Sequence, residues 1–115
     1  MYKLIAIDLD GTLLNSYGVI SEIDKEAIKK AIKKGVKVIL TSGRGTMSVK
    51  NFANELEIDG DIICGNGAII YNLQEDRIIY SQYIDKKKVL QIIKICEDNS
   101  IYYNVFTQDT ILTSS

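Results

Sequence analysis

Apolar residues in this chain gather in short blocks, and the spacing inside each block predicts an element. Leu4 to Ile7 is a continuous apolar run that stops at Asp8-Leu9-Asp10-Gly11-Thr12, the pattern of a buried strand followed by a functional turn. Ser21 and Asp24 have capping-box spacing, and Ile23, Ala27, Ile28 and Ala31 then recur at helical intervals until Gly35, which predicts an amphipathic helix. Val36 to Leu40 is apolar and rich in β-branched residues between Gly35 and Ser42-Gly43, as expected of a buried parallel strand. Val49, Phe52, Ala53 and Leu56 follow at i, i+3, i+4 and i+7, a second helix with Gly60 just beyond it. Asp61 to Cys64 reads as a third short strand that stops at Gly65-Asn66-Gly67.

The order strand, helix, strand, helix, strand implies right-handed crossovers in a parallel sheet, so the fold class is α/β with a Rossmann-like core. Ala68 to Tyr71 and Arg77 to Tyr80 flank the polar stretch Asn72 to Asp76, which predicts an antiparallel hairpin. The pattern changes near Gln82. Val89, Ile92, Ile93 and Cys96 mark a third helix, and Tyr102 to Phe106 and Thr110 to Leu112 read as two strands. Helix, strand, strand differs from the alternating first part, so a domain boundary is placed there, with 1–81 and 82–115 on either side.

Composition narrows the chemistry. The chain has 115 residues, 46% hydrophobic and 25% charged, the balance of a soluble globular protein. Fourteen Lys and Arg oppose fifteen Asp and Glu for a net charge of -1, so electrostatics supplies no case for nucleic acid or a membrane surface as partner. The lysines at 25, 29, 30, 33, 34 and 37 follow the face of the first helix opposite Ile23, Ala27 and Ala31, a solvated face rather than a nucleic-acid patch. There is no His, which removes His-dependent triads, His metal sites and a histidine pH switch. Cys64 and Cys96 lack C-x-x-C spacing and are expected to be buried thiols in a reducing cytosol. No signal-peptide pattern, membrane-spanning run or N-x-[ST] sequon is present, so a cytoplasmic location is expected.

The acidic turn is the main chemical candidate. In strand geometry Asp8 and Asp10 leave on one side with Cα atoms about 6–7 Å apart, at the carboxyl end of a strand, where open α/β sheets bind ligands. Taken alone, a D-x-D pair fits a turn cap as well as a site.

The whole string Asp8-Leu9-Asp10-Gly11-Thr12-Leu13-Leu14, directly after the first strand, closely resembles the first motif of the haloacid dehalogenase superfamily. Thr41-Ser42-Gly43-Arg44 resembles its second motif, and Gly65-Asn66-Gly67-Ala68 with the hairpin behind it looks like the Cof-type branch, mostly sugar-phosphate and related phosphatases. The segment from Gln82 is similar to the beginning of that branch's inserted α+β cap. The resemblance implies that Asp8 is a nucleophile forming an aspartyl-phosphate and Asp10 the general acid and base. It implies Mg²⁺ held by the Asp8 carboxylate and the Asp10 backbone carbonyl. Ser42 and Gly43 would bind the phosphoryl group, although Ser42 also fits a plain helix cap. Thr12, Arg44 and Asn66 join as supporting residues. Thr12 braces the first loop; Arg44 contacts substrate or is simply an exposed arginine at a helix start; and Gly-Asn-Gly is first a turn signal. The implied substrate is a small phosphorylated metabolite such as a sugar phosphate.

The superfamily's lysine and late acidic pair have no counterpart here. Lys86 to Lys94 precede or lie within the predicted third helix, and Asp109 falls between the last two strands. The resemblance implies a protein well over twice this length, so the expectation is an N-terminal fragment with weak Mg²⁺ binding and little or no phosphatase activity alone. Incomplete sheet edges are expected to favour self-association. Two further readings stay open: a phosphomutase using the same aspartyl-phosphate, and a non-catalytic phosphate-binding remnant. A phospho-receiver domain fits less well, because its acceptor Asp would end the third strand, where this chain has Cys64-Gly65-Asn66.

Overall fold

The structure is a computed structural model and describes residues 1–114. It divides into two compact units, Met1–Ser81 and Gln82–Ser115. The first contains β1 (Leu4–Asp8), α1 (Glu22–Lys33), β2 (Lys37–Thr41), α2 (Thr46–Glu55), β3 (Asp61–Cys64), β4 (Ile69–Asn72) and β5 (Arg77–Ser81). Its five strands form one sheet in the order β1-β2-β3-β4-β5. β1, β2 and β3 are parallel, and β4 and β5 continue the sheet antiparallel.

Local chemistry accounts for the ends of these elements. Ser21 caps α1 by accepting the Asp24 N–H at 3.2 Å, with acids in the first turn and Lys30 and Lys33 in the last, as the helix dipole favours. The expected stop for α2, Gly60, is not what ends it. The helix closes at Leu56, and Glu57 takes the left-handed conformation at φ 60°. Lys25 bonds Glu55 at 2.6 Å and Lys29 bonds Glu57 at 3.6 Å, holding α1 beside the end of α2. Lys50 on α2 reaches the Tyr71 hydroxyl at 3.2 Å and Asp76 at 3.0 Å, and so anchors the β4–β5 hairpin.

One face of the sheet carries the core. Val38 and Leu40 of β2, Ile62 and Cys64 of β3 and Ile69 of β4 are buried together with Ile28 of α1, Val49 and Ala53 of α2, and Leu56. The face of α1 that packs inward is therefore centred on Ile28, whereas Ile23 and Ala27, expected to face the core, are exposed. The opposite sheet face, which carries Leu4, Ala6 in register with Ile39, and Ile63, is only partly covered. β1 corrects the expectation of a buried strand: among the described residues it pairs with β2 alone, which leaves Leu4 48% and Ile5 40% exposed. A continuous apolar run encodes burial on both faces, and here the helices cover one.

The second unit comprises α3 (Lys86–Asp98) and the antiparallel pair β6 (Asn104–Phe106) and β7 (Ile111–Thr113). Asp85 caps α3 by accepting the Lys87 N–H at 3.2 Å. No residue of α3 is buried, and Leu90, Ile92 and Ile95 are exposed. Cys96 is accordingly half-buried, not buried as expected, while Cys64 is fully enclosed. Among the described residues, no helix is long and apolar enough to cross a membrane.

Candidate active site

Three strand ends meet at one edge of the first unit. Asp8 closes β1 and stands in register with Thr41 of β2, which in turn faces Ile63 of β3. Each strand runs into a loop there, and these loops hold the residues singled out from the sequence. The strand does not continue through Asp10, as the spacing had implied. Asp10 (φ -69°, ψ 124°) and Gly11 (φ 76°, ψ 1°) are the two central residues of a type II turn over Leu9–Thr12. The second position of such a turn requires positive φ, which glycine adopts without a steric penalty. The loop is closed by the Leu14 N–H on the Leu9 carbonyl at 2.9 Å. Leu9 is fully buried while Asp8 and Asp10 on either side of it are exposed. The in-out alternation thus passes into the turn because Asp10 keeps extended dihedrals.

Each carboxylate has its own partner. The Thr12 hydroxyl donates to Asp8 Oδ2 at 3.3 Å. Asp10 is held by both arms of Arg44, with Nε on Oδ2 at 2.7 Å and Nη2 on Oδ1 at 2.8 Å. This bidentate bond, reinforced by the guanidinium charge, keeps the Asp10 carboxyl below the usual carboxylate range and pushes Arg44 up. Arg44 is therefore not the free, exposed arginine expected at a helix start. Its Nη1 donates to the Ser48 hydroxyl at 3.0 Å and its guanidinium lies 5.3 Å above the Phe52 ring. Ser48 was not singled out from the sequence and Phe52 only as an apolar position of the second helix; their signal is the spacing of four and eight residues from Arg44, one face of a helix.

Ser42 does not cap α2, since Gly45 occupies that position and the helix starts at Thr46. Ser42 is buried, and its Oγ accepts the Arg44 N–H at 3.0 Å, which leaves the hydroxyl proton free to point elsewhere. The Gly65–Gly67 turn is stitched to the same loop. Ser42 N–H donates to Ile63 O at 2.9 Å, Asn66 N–H to Ser42 O at 3.0 Å, and Gly65 N–H to Arg44 O at 2.9 Å. Asp8, Asp10, Thr12, Ser42, Gly43, Arg44 and Asn66 thus lie on three loops at one end of the sheet. Behind them, burial raises the Cys64 thiol pKa, and the Thr46 hydroxyl beside it is enclosed without a hydrogen bond of acceptable geometry.

The donor set tests the expected metal. Oxygen ligands suit Mg²⁺, and the site offers the Asp8 carboxylate and the Asp10 carbonyl, while the Asp10 carboxylate is taken by Arg44. No group of three or more acids, Cys or His that would hold a cation occurs among the described residues. The residues present would supply part of an oxygen shell for Mg²⁺.

Parallel strands with an acidic turn at the carboxyl end of the first, and a Ser-Gly loop at the end of the second, define an open α/β protein whose candidate site lies at the carboxyl ends of its strands. The sequence profile of the haloacid dehalogenase-like hydrolases matches residues 5–115, and the chain belongs to that family. It is 40% identical to Phosphatase YwpJ of Bacillus subtilis over 111 residues, 96% of this chain but 39% of that protein. It is equally 40% identical over 111 residues to 5-amino-6-(5-phospho-D-ribitylamino)uracil phosphatase YwtE of the same organism, spanning 96% of this chain and 38% of that protein. These relatives agree with the Cof-type branch. A haloacid dehalogenase-like hydrolase from Bacteroides thetaiotaomicron superposes with a TM-score of 0.90 at 31% identity, covering all of this chain and 44% of that one. The chain therefore spans about two-fifths of the length of these curated relatives.

Proposed function

We propose that this chain carries the nucleophile-bearing part of a Mg²⁺-dependent phosphatase that acts on a small phosphorylated metabolite, a sugar phosphate or a phosphorylated polyol. The observation that carries this reading is the exposed pair formed by Asp8, which closes β1, and Asp10, in the type II turn that follows it, beside the Ser42 loop. An Asp8 carboxylate oxygen attacks phosphorus, the bond to the leaving oxygen breaks, and an aspartyl-phosphate forms. Water then attacks that phosphorus and releases inorganic phosphate. The Ser42 hydroxyl donates to a phosphoryl oxygen, its own oxygen fixed by the Arg44 N–H. Asp8 and the Asp10 carbonyl would hold Mg²⁺, which when bound offsets the repulsion between carboxylate and phosphate.

Asp10 serves both half-reactions in turn. Clamped by Arg44 it is held ionised, the state that takes a proton from the attacking water. To protonate the leaving alkoxide it must first give up the guanidinium and gain a proton. Mixing the chain with beryllofluoride and Mg²⁺ tests the nucleophile. Protein-bound ¹⁹F resonances that disappear in Asp8→Asn are expected; their absence from the unmodified chain would leave the non-catalytic phosphate-binding reading in its place. Turnover of a generic phosphoester by the chain alone is expected to be very low, because Asp8 is the one carboxylate of the pair not held by Arg44.

A further inference from the structure

Asn66 sits in an unusual stretch of backbone. Gly65, Asn66 and Gly67 have φ of 56°, 56° and 94°, three successive residues in the region that favours glycine. A glycine at the middle position would satisfy the turn at lower cost, yet a side chain is present, and it is exposed. The Asn66 N–H, bonded to the Ser42 carbonyl at 3.0 Å, fixes the residue over the Ser-Gly loop. The carboxamide lies on Gly43: a Cβ built there would meet Asn66 Oδ1 at 2.8 Å, Nδ2 at 3.2 Å and Cγ at 3.3 Å. Among the described residues the side-chain amide has no hydrogen-bond partner, so its donor and acceptor are free on an exposed side chain beside the Gly43 backbone.

From this geometry we infer that Asn66 is a ligand-contacting residue whose carboxamide donates to a phosphoryl oxygen held by the Ser42–Gly43 loop. The inference rests on the phosphate-site reading above and adds a third donor to it. A Cβ at position 43 would push the carboxamide away from the loop.

Titration of the ¹⁵N-labelled chain with inorganic phosphate and Mg²⁺ tests it, using Asn66→Gly, Gly43→Ala and the double variant beside Ser42→Ala. Asn66→Gly keeps the left-handed backbone and removes only the amide, so amide spectra away from the loop stay unchanged. Phosphate affinity is expected to fall roughly tenfold, the order set by one hydrogen bond to a charged acceptor. Gly43→Ala weakens binding as well. The double variant is no worse than Gly43→Ala alone, because both changes remove the same contact. If Asn66→Gly binds phosphate like the unmodified chain while Ser42→Ala is weakened, the Asn66 contact is wrong and the phosphate site stands. If the unmodified chain shows no shifts at Ser42 and Gly43, the site itself is wrong and the contact falls with it.

Discussion

Replacing Gly11 with alanine isolates the cost of the turn that carries Asp10. A Cβ on Gly11 meets nothing within 4 Å, so no packing clash contributes and the penalty is purely conformational. Holding an L-residue at φ 76° costs about 1–2 kcal/mol, or roughly a 5- to 30-fold fall in the folded-to-unfolded ratio. With a urea dependence of about 1–3 kcal/mol per M for a domain of this size, the midpoint measured by circular dichroism is expected to fall by roughly 0.3–2 M. Gly60→Ala is the matched control. Its backbone is not in the positive-φ region and a Cβ there meets only Lys37 Cε at 3.7 Å, so it is expected to be neutral or stabilising by up to about 1 kcal/mol. A type I turn would relieve Gly11→Ala, but it rotates the Asp10–Gly11 peptide by about half a turn and reverses the Asp10 carbonyl offered to Mg²⁺. Unchanged stability and unchanged Mg²⁺ response in Gly11→Ala would refute the turn assignment and the ligand role built on it.

Arg44→Met is expected to let the Asp10 carboxyl titrate closer to its ordinary value, followed by ¹³C NMR of the side chain. Since Arg44 lowers the folded-state value, the clamp stabilises the protein above the ordinary carboxylate range, and that stability is lost as pH falls through the lowered value. The variant's unfolding curve should therefore be flatter on the acid side, and an identical acid limb would remove the clamp's role. Thiol labelling is expected to be biphasic, with half-buried Cys96 fast and enclosed Cys64, raised by burial, slow until urea opens the core; equal rates would contradict the packing. The unpaired edge of β1 is expected to drive self-association, with the mass from light scattering rising with concentration and Ala6→Lys returning it to monomer. A monomer at every concentration would show the edge to be inert.

The elements were legible wherever local signals agreed. Ser21 and Asp24 marked the start of α1, and the polar stretch after Tyr71 marked the β4–β5 turn, because capping and turn chemistry act within a few residues. What the sequence hid was set by distant partners. The Arg44–Asp10 clamp joins residues 34 apart in the chain, and no local pattern encodes it. The type II turn was written in Asp10-Gly11, yet period-two reasoning carried the strand through it. β1 misled in the opposite way: its apolar run reports burial on two sides, which this chain provides on one.

Strand order in the sheet is also chain order, and this bears on how the protein is made. Within the five-stranded sheet each strand from β2 to β5 pairs with the one synthesised just before it, so pairing can follow emergence from the ribosome with little search among distant segments. The hairpin joins last, and Lys50 bonds Tyr71 and Asp76 of it from a helix that already exists. Among the described residues the outer edge of β1 has no partner, so the segment bearing Asp8 is open to chaperones and neighbouring nascent chains while β2 to β5 assemble beside it.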